Sequence, residues 1–310
     1  MAVPPGAAGH NPPMLPTLPI APYTPPEDNE TLEAALARNV RDALQEDLGR
    51  GDWTALLVPA ARRVRARVVA KEAAVLCGQA WFSRCLWALD PMAQLTWPVA
   101  EGAAIAEGSL VCEIEADARA LLSAERSALN FLQLLSATAT TTRRYVEAIA
   151  GASRNPRGCA VLDTRKTLPG LRQAQKYAVR VGGGQNQRLA LWHGILIKEN
   201  HIAAAGGIAA ALRAAAALGS AVPVQVEVES LDELREALAA GATSVLLDDF
   251  TLGQMREAVA LTAGRAQLEV SGGVDLGQIG AIAATGVDRI SVGKLTKDVQ
   301  AVDLSLRVLG

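Results

Sequence analysis

The chain has 310 residues, 30 Lys+Arg against 32 Asp+Glu, a formal charge of −2, half of its residues hydrophobic and only 4% aromatic. That balance removes global steering toward nucleic acid, and so few aromatics leave little material for stacking bases. Three histidines, with His10 in a proline-rich stretch, exclude a three-histidine zinc site in the folded part.

The length suggests about two domains. Cys77, Cys85, Cys112 and Cys159 form no C-x-x-C pair and read as reduced, mostly buried thiols. No apolar run approaches the roughly 20 residues that span a bilayer, and no basic flank with an apolar region opens the chain. The expectation is a soluble cytoplasmic protein.

In chain order, nine of the fifteen prolines fall between Pro4 and Pro26, which predicts an extended tail over 1–29. Leu32, Leu36, Val40 and Leu44 recur at helical spacing and predict an amphipathic helix over 31–47. Partial alternation predicts strands within 64–78 and over 110–115, the latter after two Glu-Gly turns. A long helix is expected from the N-cap Asp117, carrying Leu121, Leu122, Leu129, Leu132 and Leu135. Residues 30–136 therefore read as an α+β unit.

The rhythm then changes. Apolar runs at 161–162, 194–197, 222–226, 244–247, 267–270 and 289–292 alternate, in the later part, with Ala/Leu-rich helical stretches near 203–218, 231–240, 252–263 and 275–285. Strands alternating with helices imply a parallel sheet with right-handed crossovers. Reactive residues follow the runs: Asp163-Thr-Arg-Lys166, Lys198, Glu227, Asp248-Asp249, Ser271-Gly-Gly273 and Gly293-Lys294. A barrel gathers strand ends into one mouth, whereas an open sheet spreads them along an edge. The pattern predicts an α/β barrel with six clear strands over 137–295.

Charge is uneven beneath the neutral total. Residues 143–201 hold eleven Lys/Arg and three acids, while 227–249 hold seven acids and one arginine. Arg165, Lys166, Arg188 and Lys198 at strand ends or after a glycine loop point to a substrate with several negative charges. Ser271-Gly272-Gly273 ahead of a helix expected near Asp275, and Gly293 one unit later, suit a phosphate. Glu227 and Asp248 suit Mg²⁺ beside substrate oxygens; an ordinary ion pair of one of them with Lys198 or Lys166 weighs equally. Neither a P-loop nor a G-x-G-x-x-G fingerprint occurs, and Gly182-Gly183-Gly184 matches neither. A barrel enzyme for a metal-bound phosphate ester and a second anion follows, with a Schiff-base aldolase through Lys198 as the competing chemistry.

Asp163-Thr-Arg-Lys-Thr-Leu-Pro-Gly170, Lys176-Tyr-Ala-Val-Arg-Val-Gly-Gly-Gly184, Leu196-Ile-Lys-Glu-Asn-His201, Val226-Glu-Val-Glu229 and Leu268-Glu-Val-Ser-Gly-Gly273 resemble the quinolinate phosphoribosyltransferase family, from about Glu46 to the C-terminus. The resemblance implies transfer from phosphoribosyl pyrophosphate to quinolinate with loss of pyrophosphate and CO₂. It implies an N-terminal open sandwich on an incomplete (β/α) barrel, residues 296–310 returning to the sandwich, and a homodimer with shared sites. It assigns Arg165 and Arg188 to the quinolinate carboxylates, with Arg126 supplied by the partner subunit. Thr164, Lys166, Gln187 and Lys198 fall to substrate contacts. Glu227 and Asp248 fall to Mg²⁺-pyrophosphate and ribose, and Ser271, Gly272, Gly273, Val292, Gly293 and Lys294 to the 5′-phosphate. Three positions depart from the family pattern: Gln187 stands where His is usual, Asp249 where Asn is usual, and Lys294 where a small residue is usual. The uncharged Gln187 implies weaker carboxylate binding, relieved by Gln187→His, Asp249 adds negative charge near the metal, and the three together leave open a relative that uses another pyridine or azole acid or only binds phosphoribosyl pyrophosphate.

Overall fold

The computed structural model describes residues 24–309; most of the expected 1–29 tail lies outside them, and 24–31 form no helix or strand. Helix α1 (Leu32–Leu48) starts where the Thr31 hydroxyl accepts from the Ala34 N–H at 3.1 Å. Strand β1 (Arg63–Ala70) follows a single 3-10 turn at Ala55–Leu57, then come β2 (Ala74–Val75), α2 (Gln79–Leu89), β3 (Gln94–Thr96), β4 (Ala104–Ile105) and β5 (Leu110–Asp117). Helix α3 (Ala118–Ala148) is capped by Asp117, whose carboxylate accepts from the N–H groups of Arg119 and Ala120. The sheet behind it is antiparallel, and its fourth strand, β12 (Leu304–Leu309), comes from the other end of the chain, giving the order β12-β1-β5-β3. Ala66, Val68 and Ala70 on β1 alternate inward and pack, with Trp81, Phe82, Leu121, Leu132 and Leu135, into the first core.

The second core belongs to an α/β barrel. It is built from β6 (Ala160–Leu162), α4 (Arg172–Val181), β7 (Ile195–Ile197), α5 (Glu199–Ala205), α6 (Ile208–Ala217) and β8 (Val224–Val228). Then follow α7 (Leu231–Ala239), β9 (Ser244–Asp248), α8 (Leu252–Thr262), β10 (Gln267–Ser271), α9 (Ile279–Ala283), β11 (Arg289–Ser291) and α10 (Lys294–Lys297). All six strands are parallel in the order β6-β11-β10-β9-β8-β7, so the barrel lacks only a β6–β7 ladder. Helix α3 runs 31 residues without a break through position 136 and contributes to both cores.

Parity explains the barrel wall. Val226, Val228, Val245, Leu247, Leu268, Val270 and Ile290 face the helices and form the second core. The intervening Gln225, Glu227, Ser244, Asp248, Glu269, Ser271 and Ser291 alternate to the other face, the barrel interior.

Several sequence boundaries move. The run 222–226 becomes a strand only after Pro223, so Glu227 lies inside β8, and Asp248 and Ser271 close β9 and β10. The 203–218 helix is two helices, because Gly206 and Gly207 take φ of +84° and +120°. The helix expected from Asp275 starts at Ile279; Asp275 instead holds a turn by accepting from the Gln278 N–H at 3.0 Å. No helix among the described residues is long and apolar enough to cross a membrane. All four cysteines are free, and burial pushes Cys85, Cys112 and Cys159 up to about 12.

Candidate active site

Strand register assembles the mouth. One step beyond the pair Ile197↔Val226, Lys198 stands beside Glu227, while Asp248 pairs directly with Ser271. Lys198 Nζ donates to both Glu227 oxygens, at 2.9 and 2.8 Å, so this carboxylate is ion-paired in the free chain. Burial raises the Glu227 carboxyl above its ordinary range, Lys198 opposes that shift, and Asp248 and Glu199 add to it. Lys198 also opens α5, where its N–H donates to His201 Nδ1 at 3.1 Å.

Opposite lies a basic group. Arg165 follows β6; its Nε–H is buried and finds no acceptor among the described residues. Burial and then Arg165 lower both Arg172 and Arg188, although Glu227 offsets part of the effect on Arg188. Arg165 thus repels both Arg172 and Arg188, an arrangement that an anion bound among them would relieve. Arg172 escaped the sequence reading: it sits two residues beyond the quoted Asp163–Gly170 motif, on a helix that was also missed. Its Nε donates to Thr167 Oγ1 at 3.2 Å and folds it back over the loop.

The loop bearing Arg165 and Lys166 is pinned from beneath. Thr296 Oγ1 donates to the Lys166 carbonyl at 2.8 Å, and Gln175 links Leu168 N–H to the Thr296 carbonyl at 2.8 Å each. A Cβ on Gly293 would stand 3.2 Å from Lys166 Cδ and 3.7 Å from Thr164 Oγ1, so the glycine admits those two side chains. Lys294 begins the short α10 beside them. Val292 is fully buried, and its N–H donates to the Leu162 carbonyl at 2.8 Å.

Gly272 has φ of +99°, and a Cβ there would lie 2.8 Å from Asp249 Cγ and 2.9 Å from the Asp249 nitrogen. Asp249 itself takes φ of +52°, a conformation Asp tolerates, which puts the departure from Asn against this turn. Gly272→Ala is therefore expected to cost about 1–3 kcal/mol through backbone strain. Thermal unfolding checks it. Gly182 and Gly184 serve packing: a Cβ on Gly184 would fall 2.8 Å from Thr142 Cγ2.

Gln187 faces inward. Its Nε2 donates to Gln225 Oε1 at 2.9 Å and its Oε1 accepts the Arg188 N–H, so its amide bridges the barrel interior and the backbone of Arg188. Arg126 lies apart from the mouth. It is exposed on α3 in a groove of about 420 Å³ shared with Asp42, Glu46, Asp47 and Pro169. Of the other basic residues in 143–201, Arg143 holds Gly182, Arg157 pairs with Asp288 and Arg180 holds Asn186. Asp232, Glu233 and Glu236 belong to the surface of α7.

An interrupted α/β barrel beside an antiparallel sandwich, with arginines facing a lysine–carboxylate rim and glycine turns, defines an enzyme of polyanionic substrates. The family model described as quinolinate phosphoribosyl transferase, N-terminal domain matches residues 52–136, and its C-terminal domain model matches 138–307. The chain belongs to the quinolinate phosphoribosyltransferase family.

It is 41% identical over 277 residues to the nicotinate-nucleotide pyrophosphorylase [carboxylating] of Mycobacterium leprae, covering 86% of this chain and 95% of that one. A Bacillus subtilis protein described as a probable nicotinate-nucleotide pyrophosphorylase [carboxylating] is 39% identical, over 85% of this chain and 90% of its own length. The solved nicotinate-nucleotide pyrophosphorylase of Francisella tularensis superposes with a TM-score of 0.85 at 43% identity, over 93% of this chain and all of that one.

Proposed function

We propose that this chain converts quinolinate and phosphoribosyl pyrophosphate to nicotinate mononucleotide, pyrophosphate and CO₂. The observation that carries the reading is the make-up of the mouth: Arg165, with a buried Nε that finds no acceptor, repelling Arg172 and Arg188, together with the Lys198–Glu227 pair, Asp248 and the Gly272 turn. Arg165, Arg172 and Arg188 suit the two ring carboxylates, since planar guanidiniums match carboxylates two bonds at a time. Ser271, Gly272, Gly273, Gly293, Lys166 and Lys294 suit the 5′-phosphate. Lys198 and Glu227 suit the ribose and departing pyrophosphate.

The donor set fits Mg²⁺ as part of the substrate. Among the described residues no group of three His, Cys, Asp or Glu side chains could enclose a metal, whereas a pyrophosphate-bound Mg²⁺ needs one or two carboxylates, here Asp248 and Glu227. Its charge would ease pyrophosphate departure. The residues themselves hold the ring nitrogen in line with the ribose carbon and keep the leaving charge beside Lys198. The new ring cation then favours loss of CO₂ from the adjacent carbon.

Pyrophosphate and CO₂ release from quinolinate, phosphoribosyl pyrophosphate and Mg²⁺ tests the reading, and no release would sink it. Nicotinate in place of quinolinate separates a relative with another acceptor. The aldolase chemistry is disfavoured because Lys198 is a half-exposed ammonium in an ion pair, not a buried free amine; borohydride should trap no adduct.

We also propose a homodimer in which Arg126 completes the partner's mouth. Trp53 and Leu57 are 85% and 84% exposed, and hydrogen bonds from Ser123 to Asp52 and from Arg119 to Val58 fix their segment against the same helix as Arg126. Mixing inactive Arg126→Ala and Arg165→Ala chains after unfolding should restore activity, because a mixed dimer carries one intact site. No restoration would place Arg126 outside the shared site. Buried free thiols support a cytoplasmic setting.

A further inference from the structure

The barrel is closed between β6 and β7 by residues 185–188, which are neither helix nor part of a named strand. One margin of this segment is ordinary. Gln185 N–H donates to the Val161 carbonyl at 2.8 Å, and Asp163 accepts from the Gln187 N–H at 2.9 Å and from Asn186 Nδ2 at 2.6 Å. The other margin has no ladder. There Gln187 Nε2 donates to Gln225 Oε1 at 2.9 Å, and Gln225 Nε2 donates to Glu269 Oε2 at 3.0 Å and to Ser244 Oγ at 3.3 Å. Glu269 takes a further bond from Ser291 Oγ. Strands β8 and β10 are not neighbours, so the Gln225–Glu269 bond crosses the barrel interior.

We propose that Gln187, Gln225 and Glu269 form a positioning chain that stands in for the missing ladder and sets where Arg188 meets the acceptor. The inference rests on the reading of Arg188 as a carboxylate-binding residue. Three observations support it. Gln187 Oε1 accepts the Arg188 N–H, so the same amide that reaches Gln225 grips the backbone of the arginine. Among the described residues, Arg188 is otherwise tied only through its guanidinium, to the Gly194 carbonyl at 3.0 Å. Gln225 and Glu269 are 7% and 1% exposed, so their bonds are made away from water, where a lost partner is costly.

The chemistry also specifies the residue types. Position 225 must accept from one neighbour and donate to the next, which an amide does at once. A carboxylate there would face Glu269, and an aliphatic side chain would strand Gln187 Nε2 and Glu269 Oε2. None of the three need touch substrate, so they are positioning residues. Gln187→His, which restores the family's usual residue, would meet the Gln225 amide here.

Steady-state kinetics on the full chain test the proposal, with quinolinate and phosphoribosyl pyrophosphate varied in turn. Gln225→Leu and Gln187→Leu should each raise the KM for quinolinate about tenfold, with kcat and the KM for phosphoribosyl pyrophosphate within about twofold. The double variant should be no worse than either single one, because both cut the same chain. Gln187→Leu, on a half-buried segment, keeps the test open should Gln225→Leu fail to fold. Unchanged quinolinate KM in a folded variant, equal rises in both KM values, or multiplying effects would each overturn the inference. A wild-type chain inactive with quinolinate would remove the reaction and this inference together, whereas an active wild type with unshifted variants removes the inference alone.

Discussion

Lys176→Met is expected to destabilise the protein by about 3–5 kcal/mol, because it strands the Asp163 carboxylate in a site with no access to water. Both side chains are fully buried, and Lys176 Nζ pairs with Asp163 Oδ1 while also donating to the Gln187 carbonyl at 3.1 Å. Asp163 is the anchor of the closing segment as well, since it accepts from Asn186 and from the Gln187 N–H. Replacing both partners, Asp163→Leu with Lys176→Met, should recover much of the stability, as removal of a whole buried pair commonly does. Activity should stay lost, because the Gln187 N–H then has no acceptor and Asn186 keeps only the Lys176 carbonyl for its Nδ2. Denaturant unfolding and turnover, measured together, separate the two effects.

The single variant has a pH signature. Burial raises Asp163 above the ordinary carboxylate range, with Lys176 as the largest opposing influence. Without the ammonium that carboxyl rises further. A group whose folded pKa exceeds its unfolded value binds more protons when folded, so its contribution to stability falls as pH climbs through that interval. The Lys176→Met deficit should therefore be smaller at about pH 5 than at about pH 8. Equal deficits would mean that Asp163 is not the group left uncompensated.

Much of the mouth was readable because strand ends are marked by a change from apolar to charged residues, as at Ile197-Lys198 and Leu247-Asp248. The barrel interior is marked as well. Within Val-Gln-Val-Glu-Val and Gln-Leu-Glu-Val-Ser, Gln225 and Glu269 share the parity of Glu227 and Ser271. Treating these runs as wholly apolar hides that period of two. The closing segment 185–188 carries no such signal. It has no periodicity, and it is held by Asp163, Lys176 and Gln225, up to about 40 positions away in sequence. Arg172 was hidden for a similar reason: it is ordinary on its helix and becomes part of the site only when Thr167 and Arg165 fold against it.

Arg165→Met is expected to lower kcat/KM for quinolinate by about two to three orders of magnitude, the loss of two or so charge-assisted hydrogen bonds. Its effect on stability should have the opposite sign to that of Lys176→Met. Arg165 has no protein acceptor for its buried Nε, and its charge lowers the pKa values of Arg172, Lys176 and Arg188 around it. Removing it relieves that repulsion and the unpaired donor, so the free protein should unfold at the same or a higher temperature. Saturating quinolinate should then stabilise the wild type and leave the variant unmoved, since only a state that binds ligand gains from mass action. Thermal scans with and without quinolinate read this directly. A variant that unfolds earlier than wild type in both scans would make Arg165 a structural residue, and the basic side of the mouth would lose its assignment to the acceptor.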